Sequence, residues 1–196
     1  QATVASAQLL GVDAVDLQVS GTVKLNQTSR VDGERIDWVT ATLLANDPDN
    51  AIPVLAITSA QQLSVLAGGS LDIGPGNVVA VIPAGGLTLD IVTMDVVTGN
   101  AALGTAGTLS AANVLSFTVS NASLFVGTGA ELDATRTGIN DEAGEGTLTA
   151  DAVGFSVSGA GFAMASVTKG TESFTGLQAT VARLQDGSIR VQAWRR

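Results

Sequence analysis

The stretch Leu115–Gly127, LSFTVSNASLFVG, decides how this chain is read. Leu115, Phe117 and Val119 alternate with Ser116 and Thr118, a Ser-Asn pair follows, and a second apolar run begins at Ala122. The plan returns as VGFSVSGAGFAMA at Val153–Ala165 and as VDLQVSGTVKLNQ at Val15–Gln27, with a degenerate copy, LSVLAGGSLDI, around Val65. Alternation at period 2 is the pattern of a strand with one face toward a core. A Gly or Asn after Val-Ser is the usual chemistry of a tight turn. Each copy therefore reads as two apolar strands joined at a Val-Ser turn. The turns fall at Val19, Val65, Val119 and Val157, between 38 and 54 residues apart, too irregular for equal propeller blades or a nonapeptide roll.

Composition agrees with this reading. In 196 residues, 45% are hydrophobic, 23 are glycine and only four are proline, which suits many short strands with tight turns. Aromatic residues make up 4%, so the interior is expected to be Val, Ile, Leu and Ala. Asp and Glu number 18 against nine Lys and Arg, giving a net charge of -9. Nucleic-acid binding rests on clustered cations, so that balance argues against it. Arg195 and Arg196 are too few to form a basic patch. The chain contains no Cys, His or Tyr. Disulfides, thiolate nucleophiles, imidazole bases and Cys/His zinc sites are thereby excluded. No apolar run approaches the ~20 residues of a membrane-spanning helix.

The fold expected is all-β: antiparallel strands in an elongated sandwich, tube or solenoid-like repeat unit. Val15, Leu17 and Val19 alternate on one strand, Leu87, Leu89 and Ile91 on another, and Ile189, Val191 and Ala193 on a last one. TSAQQLSVLAGG imitates a capped helix, with Ser59 and Gln62 at capping-box spacing and Gly68 as a stop, yet it follows the strand plan of the opening motif and is assigned to strand. One short helix is expected near 36–46, where Ile36, Val39 and Leu43 share a helical face and Asn46-Asp47-Pro48 ends it. QATVA opens the chain at Gln1–Ala5 and returns at Gln178–Ala182, an offset of 177. The simplest organisation is one full unit at 1–177 and the beginning of the next at 178–196, whose DGSIRVQAWRR does not reproduce the opening motif.

VKLNQTS, RIDW, NDPDNAIPVLAIT, NASLFVGTGAELD, GFSVSGAGFAMASV and FTGLQATVARL follow one another along most of the chain. In that order they resemble the repeat of very large, repetitive bacterial surface proteins, some carrying an LEPR-XLL signature and others described as adhesin-like or as containing calcium-binding repeats. The resemblance implies a secreted giant built of tandem all-β units, located outside the cell or at its surface. It implies no reaction, and the chain is read as a non-enzyme.

Two acidic loops collect the oxygen ligands that calcium requires: NDPDN, with Asp47 and Asp49, and INDEAGE, with Asp141 and Glu142. Asp and Asn also bond their own backbone in solvated turns, and neither loop has the spacing of an EF-hand, so ordinary turns are the competing reading. GGSLDIGPGN at Gly68–Asn77 has a single degenerate match to a calcium-roll nonapeptide and is read as a plain turn. Trp38 is read as a plug at one end of the sheet, with Arg35 and Asp37 beside it, and Trp194 as packing on a neighbouring unit. The partners expected are neighbouring repeat units, joined head to tail. Three functions fit to different degrees: a structural or adhesive module first, a lipid-carrying β-groove second, and a glycan-binding domain, for which the aromatics are too few, last.

Overall fold

A computed structural model of the chain describes residues 1–9, 14–43 and 45–181. The strand expected around Ile189, Val191 and Ala193, the packing role of Trp194, and most of the segment 178–196 lie outside the described residues. Among the described residues nine strands and one short helix follow in the order β1 (Ala2–Gln8), β2 (Val15–Leu25), α1 (Trp38–Ala41), β3 (Gln61–Ile73), β4 (Val78–Val97), β5 (Thr108–Thr128), β6 (Glu131–Leu132), β7 (Ile139–Asn140), β8 (Val153–Lys169) and β9 (Glu172–Val181). Seven of them form one antiparallel sheet in the order β1-β2-β3-β4-β5-β8-β9, and β6 and β7 form a separate small hairpin. The sheet is open, with β1 and β9 as its edges. TSAQQLSVLAGG is strand from Gln61 onward, as expected, and the helix near 36–46 is a single turn of four residues. Asp37 caps that turn by accepting from the Thr40 N–H at 2.9 Å.

The Val-Ser signatures are not hairpin turns. Val19, Val119 and Val157 sit inside β2, β5 and β8, and the repeated motif is one long strand rather than a pair of short ones. In β5 and β8 the register shifts at the signature: Val119 faces Phe162, Ala122 faces Ala160, and Leu124 faces Val157. One extra residue has been inserted in each strand, and Asn121 at φ 54° and Gly159 at φ 63° mark the place. This is a β-bulge. The physical consequence is visible in the letters: apolar residues fall at odd numbers up to Val119 and at even numbers from Ala122, and they change from odd to even again between Val157 and Ala160. Because a one-residue slip turns every later side chain to the opposite face, the bulge restores the same face to the apolar set. β4 makes the same change through Pro83–Gly86, where Ala67 pairs with Leu87 but Gly69 pairs with Ile82. β2 carries Val-Ser-Gly without any change of phase, and its pairing with β3 runs unbroken from Val15 to Leu25.

The buried core is small. Val79, Phe125, Ala130 and Ala152 form its main cluster, with Leu132 and Ile139 of the β6–β7 hairpin packed against it. Gly127 and Gly154 are directly paired beneath the Phe125 ring. A Cβ on Gly127 would stand 2.8 Å from the ring tip and one on Gly154 2.7 Å from it, so the glycines make room for the aromatic. Asn26 organises the other end of the sheet. Its buried amide donates to the carbonyls of Ile36 at 2.9 Å and Thr58 at 3.0 Å, and its oxygen accepts from Trp38 Nε1 at 3.1 Å. Trp38 is thereby tied to the residue that follows β2, an asparagine that the sequence reading passed over.

The bulge supplies the first test. Asn tolerates the left-handed region where a β-branched residue is strained by roughly 1–2 kcal/mol. Asn121→Gly is expected to leave the urea midpoint close to that of the parent, Asn121→Val to lower stability by about that amount, and deletion of Asn121 to cost far more by turning Leu124 and Val126 to the wrong face. Equal midpoints for the deletion and the parent would show that the inserted residue does not set the phase.

Candidate interaction surface

The pairing registers place the apolar residues in rows that cross the sheet from edge to edge. Directly paired residues share a face. Ala2, Val23, Val65, Leu89, Phe117, Met164 and Leu177 are paired in succession through all seven strands. On the same face the adjoining row is Val4, Gly21, Ala67, Leu87, Val119, Phe162 and Ala179. Beyond the bulges the face continues as Leu17, Leu71, Ala80, Leu124 and Val157, then as Val15, Ile73, Val78, Val126 and Phe155. The row between the first two, on the opposite face, is Thr3, Thr22, Leu66, Thr88, Thr118, Ala163 and Gln178. No residue of these four apolar rows is charged.

None of these apolar residues belongs to the buried core, whose members are Ile57, Val79, Val81, Leu109, Ala112, Phe125, Ala130 and Ala152. Val23 is 42% exposed, Phe155 46% and Leu177 66%. Phe117 and Phe162, both half-buried, lean on one another with ring centroids 5.9 Å apart and an interplanar angle of 59°.

The opposite face is built differently. At the Val15 end the segment after β5 folds back over it, and polar contacts hold that segment down. Arg136 donates through Nη1 to Asp16 at 2.7 Å and through Nε to the Ser70 hydroxyl at 3.0 Å. Asp133 closes the turn between β6 and β7 by accepting from the Thr135 and Thr137 N–H groups at 2.9 and 3.0 Å. Glu131 accepts from the Thr147 N–H at 2.6 Å. Hydrogen bonding from Arg136 holds the Asp16 carboxyl below its ordinary 3.8, and the bonds from Thr147 hold Glu131 below its ordinary 4.5. Burial pushes Asp133 upward, but the bonds from Thr137 and Thr135 outweigh it and its value is lowered.

The four calcium candidates fall on two loops. Asp47, near α1, is buried, and both its oxygens are occupied by the backbone: Oδ1 accepts from Ala51 N–H at 3.0 Å and Oδ2 from Ile52 N–H at 2.8 Å. Asp49 is exposed beside it. Asp141 and Glu142 follow β7, where both backbone N–H groups donate to Glu145 Oε2, at 3.1 and 3.3 Å. Among the described residues no group of three or more acids is arranged to hold a metal ion. Asp47 and Glu145 are thus carboxylates that close their own loops.

No protein-family model, no curated protein and no solved structure matches this chain. Among the described residues, no helix is long and apolar enough to cross a membrane.

Two expectations follow. A ligand bound only by the native state raises the unfolding temperature by mass action; with Asp47 and Glu145 committed to backbone donors, millimolar calcium and excess chelator should give the same unfolding temperature, and a rise of several degrees with calcium would make these loops a metal site. Carboxylates whose folded-state pKa is depressed contribute stability that is complete above their unfolded-state values and is lost as pH falls through the folded ones. The urea midpoint is therefore expected to stay level from neutral pH to about pH 5 and to fall below about pH 4, with a shallower fall in Asp16→Asn. A midpoint that stays level down to about pH 2 would contradict that sign.

Proposed function

We propose that the chain is a structural β module of a tandem array, extending one sheet from unit to unit in a repetitive extracellular or surface protein. The observation that carries the reading is the relation between the two edges. The first QATVA runs into β1 at one edge, and Gln178–Val181 of its second copy lie in β9 at the other. β9 is six steps across the sheet from β1, an even number, so in an antiparallel sheet β1 and β9 run in the same direction. Ala2 and Ala179, 177 residues apart, both stand on the apolar face. A following unit that began at β9 would add its strands in the same sense and with the same face exposed. Open edges are liabilities in isolated proteins, and a tandem array turns them into points of growth.

The uncovered apolar face favours a second reading, carriage of acyl chains along the sheet, because a lipid groove requires one continuous apolar surface. The structural reading is tested by denaturant unfolding of chains carrying one, two and three 177-residue units. Midpoints that climb with copy number are expected, since each added unit pairs an edge left open in the one before. Identical midpoints would reduce the units to independent beads and remove the edge argument.

A further inference from the structure

We infer that the apolar face is a homotypic interface, on which a second copy of this chain packs face to face to form a two-layer β-sandwich. This rests on the sheet face alone and not on the tandem reading, which concerns the edges.

The first argument is area. Seven strands spaced ~4.8 Å apart give a sheet about 30 Å wide, and the 11 residues of β2 at ~3.3 Å each give about 36 Å of length. The apolar face is thus about 1,000 Å² per copy, well above the ~300–600 Å² of the largest apolar patch on an ordinary monomer. Two such faces in contact would bury about 2,000 Å², at the upper end of a standard specific interface. The second argument is charge. Asp16, Lys24, Asp72 and Asp90 all pair on the opposite face, and the four apolar rows carry no charge, so a chain of net charge -9 apposes uncharged rows in bringing two of these faces together; charge reaches this face at the Thr93 end, where Arg35 donates to the Thr93 hydroxyl. The third is relief. Gly21, Ala67, Gly69 and Ala80 stand on the same face as Leu89, Phe117, Phe162 and Met164. Small and large side chains on one surface give the hollows and knobs that a twofold-related copy can interdigitate, as the inner faces of sandwiches do at ~10 Å separation.

The test uses the 196-residue chain itself. Sedimentation at about 50 μM is expected to give twice the 19.6 kDa mass. Leu87→Asp and Phe117→Asp, which place a charge in the face, should weaken self-association by about a hundredfold or more, whereas Thr88→Asp and Thr118→Asp, one residue away on the opposite face, should not. A milder variant keeps the question answerable if the aspartates disturb folding. The chain has no native cysteine, so Leu87→Cys places a single thiol on the middle strand of the apolar face and Thr88→Cys places one on the other side. A bis-maleimide spanning about 10 Å should link Leu87→Cys into dimers and leave Thr88→Cys monomeric. A monomer at that concentration overturns the inference, as does equal cross-linking at the two positions. Co-purification of acyl lipid with a monomer overturns it and assigns the face to lipid. Association that survives both aspartate variants also overturns it, while leaving edge-to-edge growth intact.

Discussion

The constraint on which this structure depends is that every long strand must present its apolar residues to the same side of the sheet. β4 and β5 run 20 and 21 residues. Over such lengths, strands that keep strict alternation cannot also absorb the local twist and register changes of a wide sheet. The chain resolves the conflict with inserted residues. At Ser120-Asn121, at Ser158-Gly159 and across Pro83–Gly86 the backbone gains residues, the alternation changes phase, and the side-chain set stays on its face. The bulges do not interrupt the sheet. They are what allows it to have one apolar side from end to end.

Much of this was legible in the letters, and one piece was legible but misread. Alternation at Val15–Val19 and Leu87–Ile91 identified strands, and the same alternation overrode the helix-like capping signal before β3. The Val-Ser-Asn and Val-Ser-Gly signatures look like two-residue hairpin turns because both features place a residue at positive φ, and Asn or Gly serves either. What separates them is the phase of the flanking apolar residues, which shifts by one at Val119 and Val157 and not at Val19. The strand pairing that gives this shift its meaning is long-range, so no local window contains it. Asn26 was silent for another reason. Its value lies in three partners, Ile36, Trp38 and Thr58, that are brought to it only by the fold of the intervening loop. The acidic loops drew attention as ligand sets because composition cannot tell a free carboxylate from one that, like Asp47, already accepts two backbone N–H groups.

The two faces of the sheet are stabilised by different physics. On the side that carries Val79 and Phe125, the hairpin of β6 and β7 supplies a small dry cluster, and Arg136, Asp133 and Glu131 anchor its polar frame. That end of the face is covered within the described chain, while Leu66 farther along the same face is 47% exposed. The other face has hydrogen-bonded strands beneath it, and apart from the Thr93–Asn113 end, where Arg35 and Gln62 reach it, its four apolar rows have no strand or helix layered on them among the described residues. Backbone ladders satisfy donors and acceptors, but each bond exchanges a water partner for a protein one and contributes modestly in net terms. Burial of apolar surface is the larger driving term in folding.

That asymmetry bears on how the molecule should be regarded. Among the described residues eight buried apolar side chains form a thin core, since a domain of this size ordinarily removes well over half of its unfolded surface from water. The sequence nevertheless places Val, Leu, Ile, Phe or Met again and again on the bare side, and it uses at least three bulges to keep them there. Apolar residues scattered over a surface need no explanation. A phase maintained across seven strands does, because each inserted residue gives up local ladder pairing and is matched by a return to the same side. The economical account is that the bare side is an interior whose second wall is supplied from outside the described chain.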